Sequence, residues 1–222
     1  MADGTIPQEF QIGEPVLVCR WRLASRTLPA ANRHLRALGR RTVNGGHLSR
    51  QLLGWAKQHI EWTLAEGAAE HPDGVLMLMV DAEGRAAMAV GDYRPLADTS
   101  LEALAARALQ AEREADETDV APETLWAVRG DALACGAPAD AQLSGTATLV
   151  GDLAATLGMA VRRDPNLARA AADGVAELDE AFLVSDEHGV VPASDAEGPR
   201  ARRFADGYAA LLENAASRAR RP

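Results

Sequence analysis

The apolar positions of the chain fall into two spacings, one helical and one strand-like. In "LSRQLLGWAKQHIEWTLAEG" (48–67), Leu48, Leu52, Ala56, Ile60 and Leu64 recur every four residues and share one side of a helix, with Gly67 placed to end it. "LPAANRHLRALGRRT" has Pro29 near its start and apolar residues at 31, 35 and 38, again helical spacing. "TSLEALAARALQAERE" predicts a helix capped by Thr99 or Ser100. "SGTATLVGDLAATLG" predicts another, with Leu149, Leu153 and Leu157 on one stripe and Gly158 beyond its end. "NLARAAADGV" reads as a short helix, and "PRARRFADGYAALLENAAS" as a closing amphipathic one with Phe204, Tyr208, Leu211 and Leu212 inward.

Shorter apolar runs predict strands. "VLVCRW" (16–21) is one, and "MAVRR" another. "DGVLMLMVDAEGRAAMAV" and "TLWAVRGDALACG" each read as a hairpin, turning at Asp-Ala-Glu-Gly and at Gly130-Asp131. "FLVSDEHGVVPA" (182–193) is a third hairpin, whose connection Asp186-Glu187-His188-Gly189 is acidic with one histidine. An acidic loop, "ADETDVAPE", lies after the third helix, and "DYRPLAD" breaks the pattern before it. The result is a mixed α/β (α+β) chain with a small α/β domain over 1–95 and a second domain over 96–222. Residues 1–14, polar with Gly and Pro, are expected to be loosely ordered.

Composition limits the partners. A chain of 222 residues can bury a real core, and with aromatics at 4% that core must be aliphatic. The net charge of −9 argues against nucleic acid, whose binding rests on neutralising phosphates. No apolar run approaches the roughly 20 residues of a membrane span, and "MADGTIPQEF" lacks the basic and apolar segments of a secretory signal. The expectation is therefore a cytoplasmic protein with no membrane partner. Cys19 and Cys135 each sit in an apolar run and read as buried free thiols.

Candidate chemistry is sparse. The histidines at 34, 47, 59, 71 and 188 do not group with cysteine or each other at ligand spacing. His188 beside Asp186 and Glu187 has the donor types of a metal site, but neighbours on a tight turn rarely converge on one ion, so no metal is expected. The one lysine, Lys57, would have to serve any Schiff-base mechanism, yet it falls one position off the apolar stripe and reads as solvated. "LSGTATL" (143–149) opens a helix after a loop. The free N–H groups there and the hydroxyls of Ser144 and Thr146 suit either an ordinary N-cap or an anion site.

The order of segments from 119 to 215 resembles the C-terminal domain of the class IV pyridoxal-phosphate (PLP) enzymes, which include branched-chain and D-amino-acid aminotransferases and aminodeoxychorismate lyase. Leu143, Gly145, Leu157-Gly158, Asp179-Glu180, Phe182-Leu183, Gly189 and Pro192 fall where the family's "LpGiTR", "eLG" and "aDEvFlTss-rGi-PV" fall. In the N-terminal half, "RTLPAANRHLRAL" is similar to the family's "r-f-l-eHl-RL". The resemblance implies a two-domain, D-amino-acid aminotransferase-like fold of reduced length, a homodimer, and a ligand cleft between the domains.

The departures fall on the cofactor positions. The family's lysine segment matches "PLADTSLEA", which has no lysine, and its phosphate-holding arginine matches Ala37, with Arg36 one place off. The "GiTR" arginine becomes Thr148, and the phosphate-facing Thr/Ser pair becomes Val184-Ser185, followed by Asp186 and Glu187. The family's pyridine-facing glutamate best matches Asp119, but Glu123-Thr124 replace the "SN" after it. A carboxylate beside a phosphate dianion is repulsive. The resemblance therefore implies a scaffold that has lost PLP and transamination and holds no other cofactor, repurposed as a binder or a cofactor-independent lyase or transferase. Its ligand would be a small amino-acid or chorismate-derived molecule, held by Ser144, Gly145, Thr146, Ser185 and Asp186, with Asp186, His188 and Asp119 as candidate acids or bases. The shortened chain implies a more open cleft. The alternatives are a non-catalytic relative with an assembly or regulatory role, and a PLP enzyme that uses Lys57 in a rearranged site.

Overall fold

A computed structural model describes residues 12–219. The chain runs β1 (Pro15–Arg22), α1 (Ala31–Leu38), β2 (Thr42–Val43), β3 (Gly46–His47), α2 (Arg50–Glu66), β4 (Val75–Asp81), β5 (Ala86–Gly91) and α3 (Leu101–Thr118). It continues through β6 (Val120–Ala121), β7 (Glu123–Arg129), β8 (Ala132–Cys135), β9 (Gln142–Leu143), α4 (Gly145–Thr156), β10 (Ala160–Arg163), α5 (Leu167–Ala172), β11 (Glu180–Ser185), β12 (Gly189–Pro192) and α6 (Pro199–Ala219).

In the first half, β1, β4 and β5 form an antiparallel sheet in the order β1-β4-β5. Strand alternation sends Leu17, Cys19 and Trp21 of β1 and Leu76, Leu78 and Val80 of β4 to one face, where they pack with Leu38 of α1 and with Ala56 and Ile60 of α2. Ser49 caps α2 by accepting the Leu52 amide. In the second half the order is β10-β8-β7-β11-β12, with β10 parallel to β8 and the other pairs antiparallel. Both faces of this sheet are covered. Trp126, Val128, Phe182 and Val184 meet α4 and α6 on one side, while Leu125, Ala127, Ala181 and Leu183 meet α3 and α5 on the other. That double burial explains why β7 and β11 read as continuous apolar runs rather than alternating ones.

Two details differ from the sequence reading. The segment read as the acidic loop is helical through Thr118, and Asp119 then ends α3 in the left-handed conformation, φ 59°. On α4 the fully buried stripe is Ala147, Val150 and Ala154; the leucines at 149, 153 and 157 are only half-buried. The segment 1–11 of the predicted flexible N-terminus lies outside the described residues. At the third hairpin Gly189 has φ 76°, and any Cβ there would run into the Tyr208 ring of α6, so both the turn and the helix contact require glycine.

Cys19 and Cys135 are buried and unpaired, and burial pushes each thiol up to about 11. Both are therefore protonated at neutral pH, and only the thiolate is nucleophilic. The native protein is expected to leave both unmodified by an aromatic disulfide reagent at pH 7, and to yield two equivalents on unfolding in guanidinium. Rapid labelling of either thiol in the native state would contradict this packing.

Candidate functional site

In the acidic turn after β11, Asp186 is buried while Glu187 and His188 are half-buried. Asp186 is 4% exposed and its backbone is held on both sides, its amide donating to the Pro122 carbonyl and its carbonyl accepting the Arg22 amide. Its side chain turns toward the start of α4. There Oδ1 accepts the Thr146 amide at 2.8 Å, and Oδ2 lies 3.5 Å from Nδ1 of His34 on α1. The second separation is long for a hydrogen bond, but it couples the two groups electrostatically. Burial by itself raises the Asp186 carboxyl. His34 and the amide and hydroxyl of Thr146 more than offset that, and hold it below the ordinary aspartate range.

The helix start is built around this contact. Ser144 is the N-cap, its Oγ accepting the Ala147 amide at 3.3 Å. Gly145 lets α1 approach closely, because a Cβ there would stand 2.6 Å from His34 Nδ1. Of the two alternatives the sequence left open, Ser144 is therefore an N-cap, and the amide next to it is occupied by the protein's own carboxylate.

Ser185 and Asp186 also border a cavity of about 190 Å³ between β1, α3 and the turn after β11. Ser144, Gly145 and Thr146, read from the sequence as ligand contacts with them, are buried outside its lining. Charged pairs crowd this cleft. Arg107 lies 2.8 Å from Glu123, Arg41 lies 2.9 Å from Glu114, and Arg20 lies 3.9 Å from Glu187. Ser185 Oγ donates to Glu123 Oε1 at 3.1 Å and accepts the Glu187 and His188 amides. This space is small and ion-paired.

His188 sits at its edge, with Nε2 3.3 Å from Arg107 Nη2 and its ring 5.7 Å from that of Tyr93. Burial pushes the imidazole below the usual histidine range; Arg107 and Arg22 add to this, against Glu187 and Glu123. A neutral ring can accept from Arg107, and the buried Nδ1 has no partner among the described residues. Asp119 is elsewhere, at the exposed end of α3, where it lines a different cavity. The three candidate acids and bases, Asp186, His188 and Asp119, therefore do not meet in one site. Lys57 is exposed on α2, and Ala37 is buried while Arg36 turns back to the Asn32 carbonyl.

His34 is the contact that the sequence reading missed, since histidine spacing says nothing about a partner 152 positions away. Arg107, Gln110, Ala111 and Glu114 were also missed, although their helical spacing is a usable signal: it puts one charged strip on α3 facing the cleft.

The arrangement of sheets and helices is the class IV aminotransferase fold. A candidate branched-chain amino acid aminotransferase from Thermotoga maritima superimposes with a TM-score of 0.58 at 16% identity, over 89% of this chain and 86% of its own. A hypothetical aminotransferase from Mycobacterium tuberculosis, in a PLP-bound form, matches with 0.56 at 13% identity over 97% and 96% of the two chains. The 4-amino-4-deoxychorismate lyase of Pseudomonas aeruginosa matches with 0.51 at 16% identity over 86% and 88%. No protein-family model and no curated protein matches the sequence. No helix among the described residues is long and apolar enough to cross a membrane, and no three His, Cys, Asp or Glu residues gather there as metal ligands.

Proposed function

We propose that the chain is a PLP-free version of the class IV aminotransferase fold, in which its own aspartate takes the place of the cofactor phosphate and which acts on a small molecule without transamination. One observation carries this reading: the Asp186 carboxylate accepts the Thr146 amide at the N-terminus of α4. A helix start binds one anion well, because its free amides and dipole point to one spot. A phosphate dianion would have to displace the carboxylate or be repelled by it.

The other residues support the same reading. PLP needs a lysine amine, and Lys57 borders a separate cavity between α1 and α2 that neither Asp186 nor Thr146 lines. It needs a cationic phosphate partner, and Ala37 occupies the place the resemblance assigns to one. It needs room beside that turn, and the cavity there is about 190 Å³, below the roughly 300–1,000 Å³ of ordinary ligand pockets. The residues present do not fit the group. The neighbours' descriptions, an amino acid aminotransferase and an aminodeoxychorismate lyase, favour a small amine- or carboxylate-bearing ligand.

Incubation of the purified protein with PLP followed by borohydride tests the reading. The expected result is no Schiff-base absorption band and no fixed pyridoxyl group on the chain. A band that borohydride fixes and that Lys57→Ala removes would overturn it.

A further inference from the structure

α3 borders two different spaces. Arg107, Gln110, Ala111 and Glu114 face the ion-paired cleft, while Leu109, Glu112, Arg113 and Asp116 lie on the opposite side of the helix. That opposite side forms one wall of a cavity of about 780 Å³, inside the size range of small-molecule pockets. The floor is apolar, from Leu109, Ala121, Ala137 and Ala141. Ala121 and Ala137 are buried, and Leu109 and Ala141 are half-buried.

The polar groups are arranged unevenly around this floor. Arg40, Arg113, Arg169, Asp116, Asp119 and Asp140 are exposed at the rim. Glu112 is different. It is half-buried, and its Oε1 has neither solvent contact nor a hydrogen-bond partner among the described residues. A buried acceptor left unmade is unfavourable, and a charged donor satisfies it best.

We propose that this cavity, and not the cleft, is the ligand site, and that it takes an apolar primary amine: the Glu112 side chain turns its unpartnered oxygen out to the ammonium, while the hydrocarbon body lies on Leu109, Ala121 and Ala137. The proposal rests on the reading of the chain as a PLP-free small-molecule binder. Exposed rim arginines add little for a carboxylate, so an amine without an acid group is sufficient.

Calorimetric titration tests it with hexylamine and 2-phenylethylamine, against hexanol and hexanoate as matched controls. Both amines are expected to bind the wild-type protein and raise its melting temperature, as ligands of the native state do. The alcohol and the acid are expected to bind about tenfold more weakly or worse, a difference of one charge-assisted contact. Glu112→Gln preserves shape and is expected to weaken amine binding by about tenfold or more while the circular dichroism spectrum is unchanged. Ala115→Trp, which fills the cavity from α3, is expected to abolish it. Absence of amine binding to the wild type, equal binding by Glu112→Gln, or undiminished binding by Ala115→Trp would each overturn the proposal. The PLP experiment on the same preparation separates the two readings. A Schiff-base band removes the PLP-free reading, whereas missing amine binding with no such band removes only this one.

Discussion

Replacing Asp186 by alanine is expected to lower the unfolding free energy by about 1–3 kcal/mol, the usual cost of leaving a buried hydrogen-bonding group without its partner, and inorganic phosphate is expected to return part of that loss. The variant leaves the Thr146 amide without its acceptor at the start of a 12-residue helix, with His34 beside it. It also opens a hole lined by the groups that bind anions elsewhere. Phosphate or sulfate then binds the folded variant and raises its melting temperature by mass action. The wild type, whose carboxylate already fills the place, is expected to gain nothing beyond a general salt effect. Equal stabilisation of both proteins by phosphate would contradict the idea that Asp186 stands where an anion would bind. The pH dependence has a definite sign. Because the folded carboxyl ionises below the ordinary aspartate range, its contribution is complete above the unfolded-state value and is lost as pH falls through the lowered folded value. Asp186→Asn retains an acceptor for Thr146 but no charge, so it is expected to fall between the wild type and Asp186→Ala and to lack this acid-sensitive loss.

The sequence made the scaffold legible because its signals are local. Caps, four-residue stripes and Gly-containing turns specify α2, α3 and the three hairpins without reference to the rest of the chain. The segment order then identified the fold, and the same comparison pointed to the turn after β11 as the unusual place. What it did not contain was the direction of the side chains. Asp186 in a hairpin connection looks solvated, and only the docking of α1 against α4 shows that it is buried against His34 and Thr146. The two sides of α3 make the same point. Arg107 and Glu114 read as ordinary charges on an amphipathic helix, and so does Glu112; the first two prove to face charged partners across a cleft, while the third faces a cavity. Asp119 was assigned by a motif whose neighbours had already changed, and the extra turn of α3 carries it to the other side.

Removing Glu114 alone is expected to cost about 3 kcal/mol, while replacing Arg41 and Glu114 together by methionine and leucine is expected to stay within about 1 kcal/mol of the wild type. Arg41 is 2% exposed, and it reaches from the end of α1 to Glu114 on α3, with the Val18 carbonyl as its other acceptor at 3.5 Å. With Glu114→Ala the guanidinium keeps its burial and loses its counter-charge. The two partners point opposite ways: burial raises the Glu114 carboxyl above its ordinary range in spite of Arg41, while Glu114 helps to hold the buried Arg41 guanidinium charged, so gain and cost largely offset. Taking both ions out removes both desolvation costs, and two apolar side chains of similar length fill the same space. Urea unfolding of the four proteins of the cycle measures the coupling directly. A double variant as unstable as Glu114→Ala would mean that the pair contributes net stability. The expected near-neutral result instead makes it a spacer, charge retained at a position where apolar packing would serve the fold equally well. If the double variant also binds amines as the wild type does, the ion-paired cleft is not needed for binding, and the cavity across α3 remains the site.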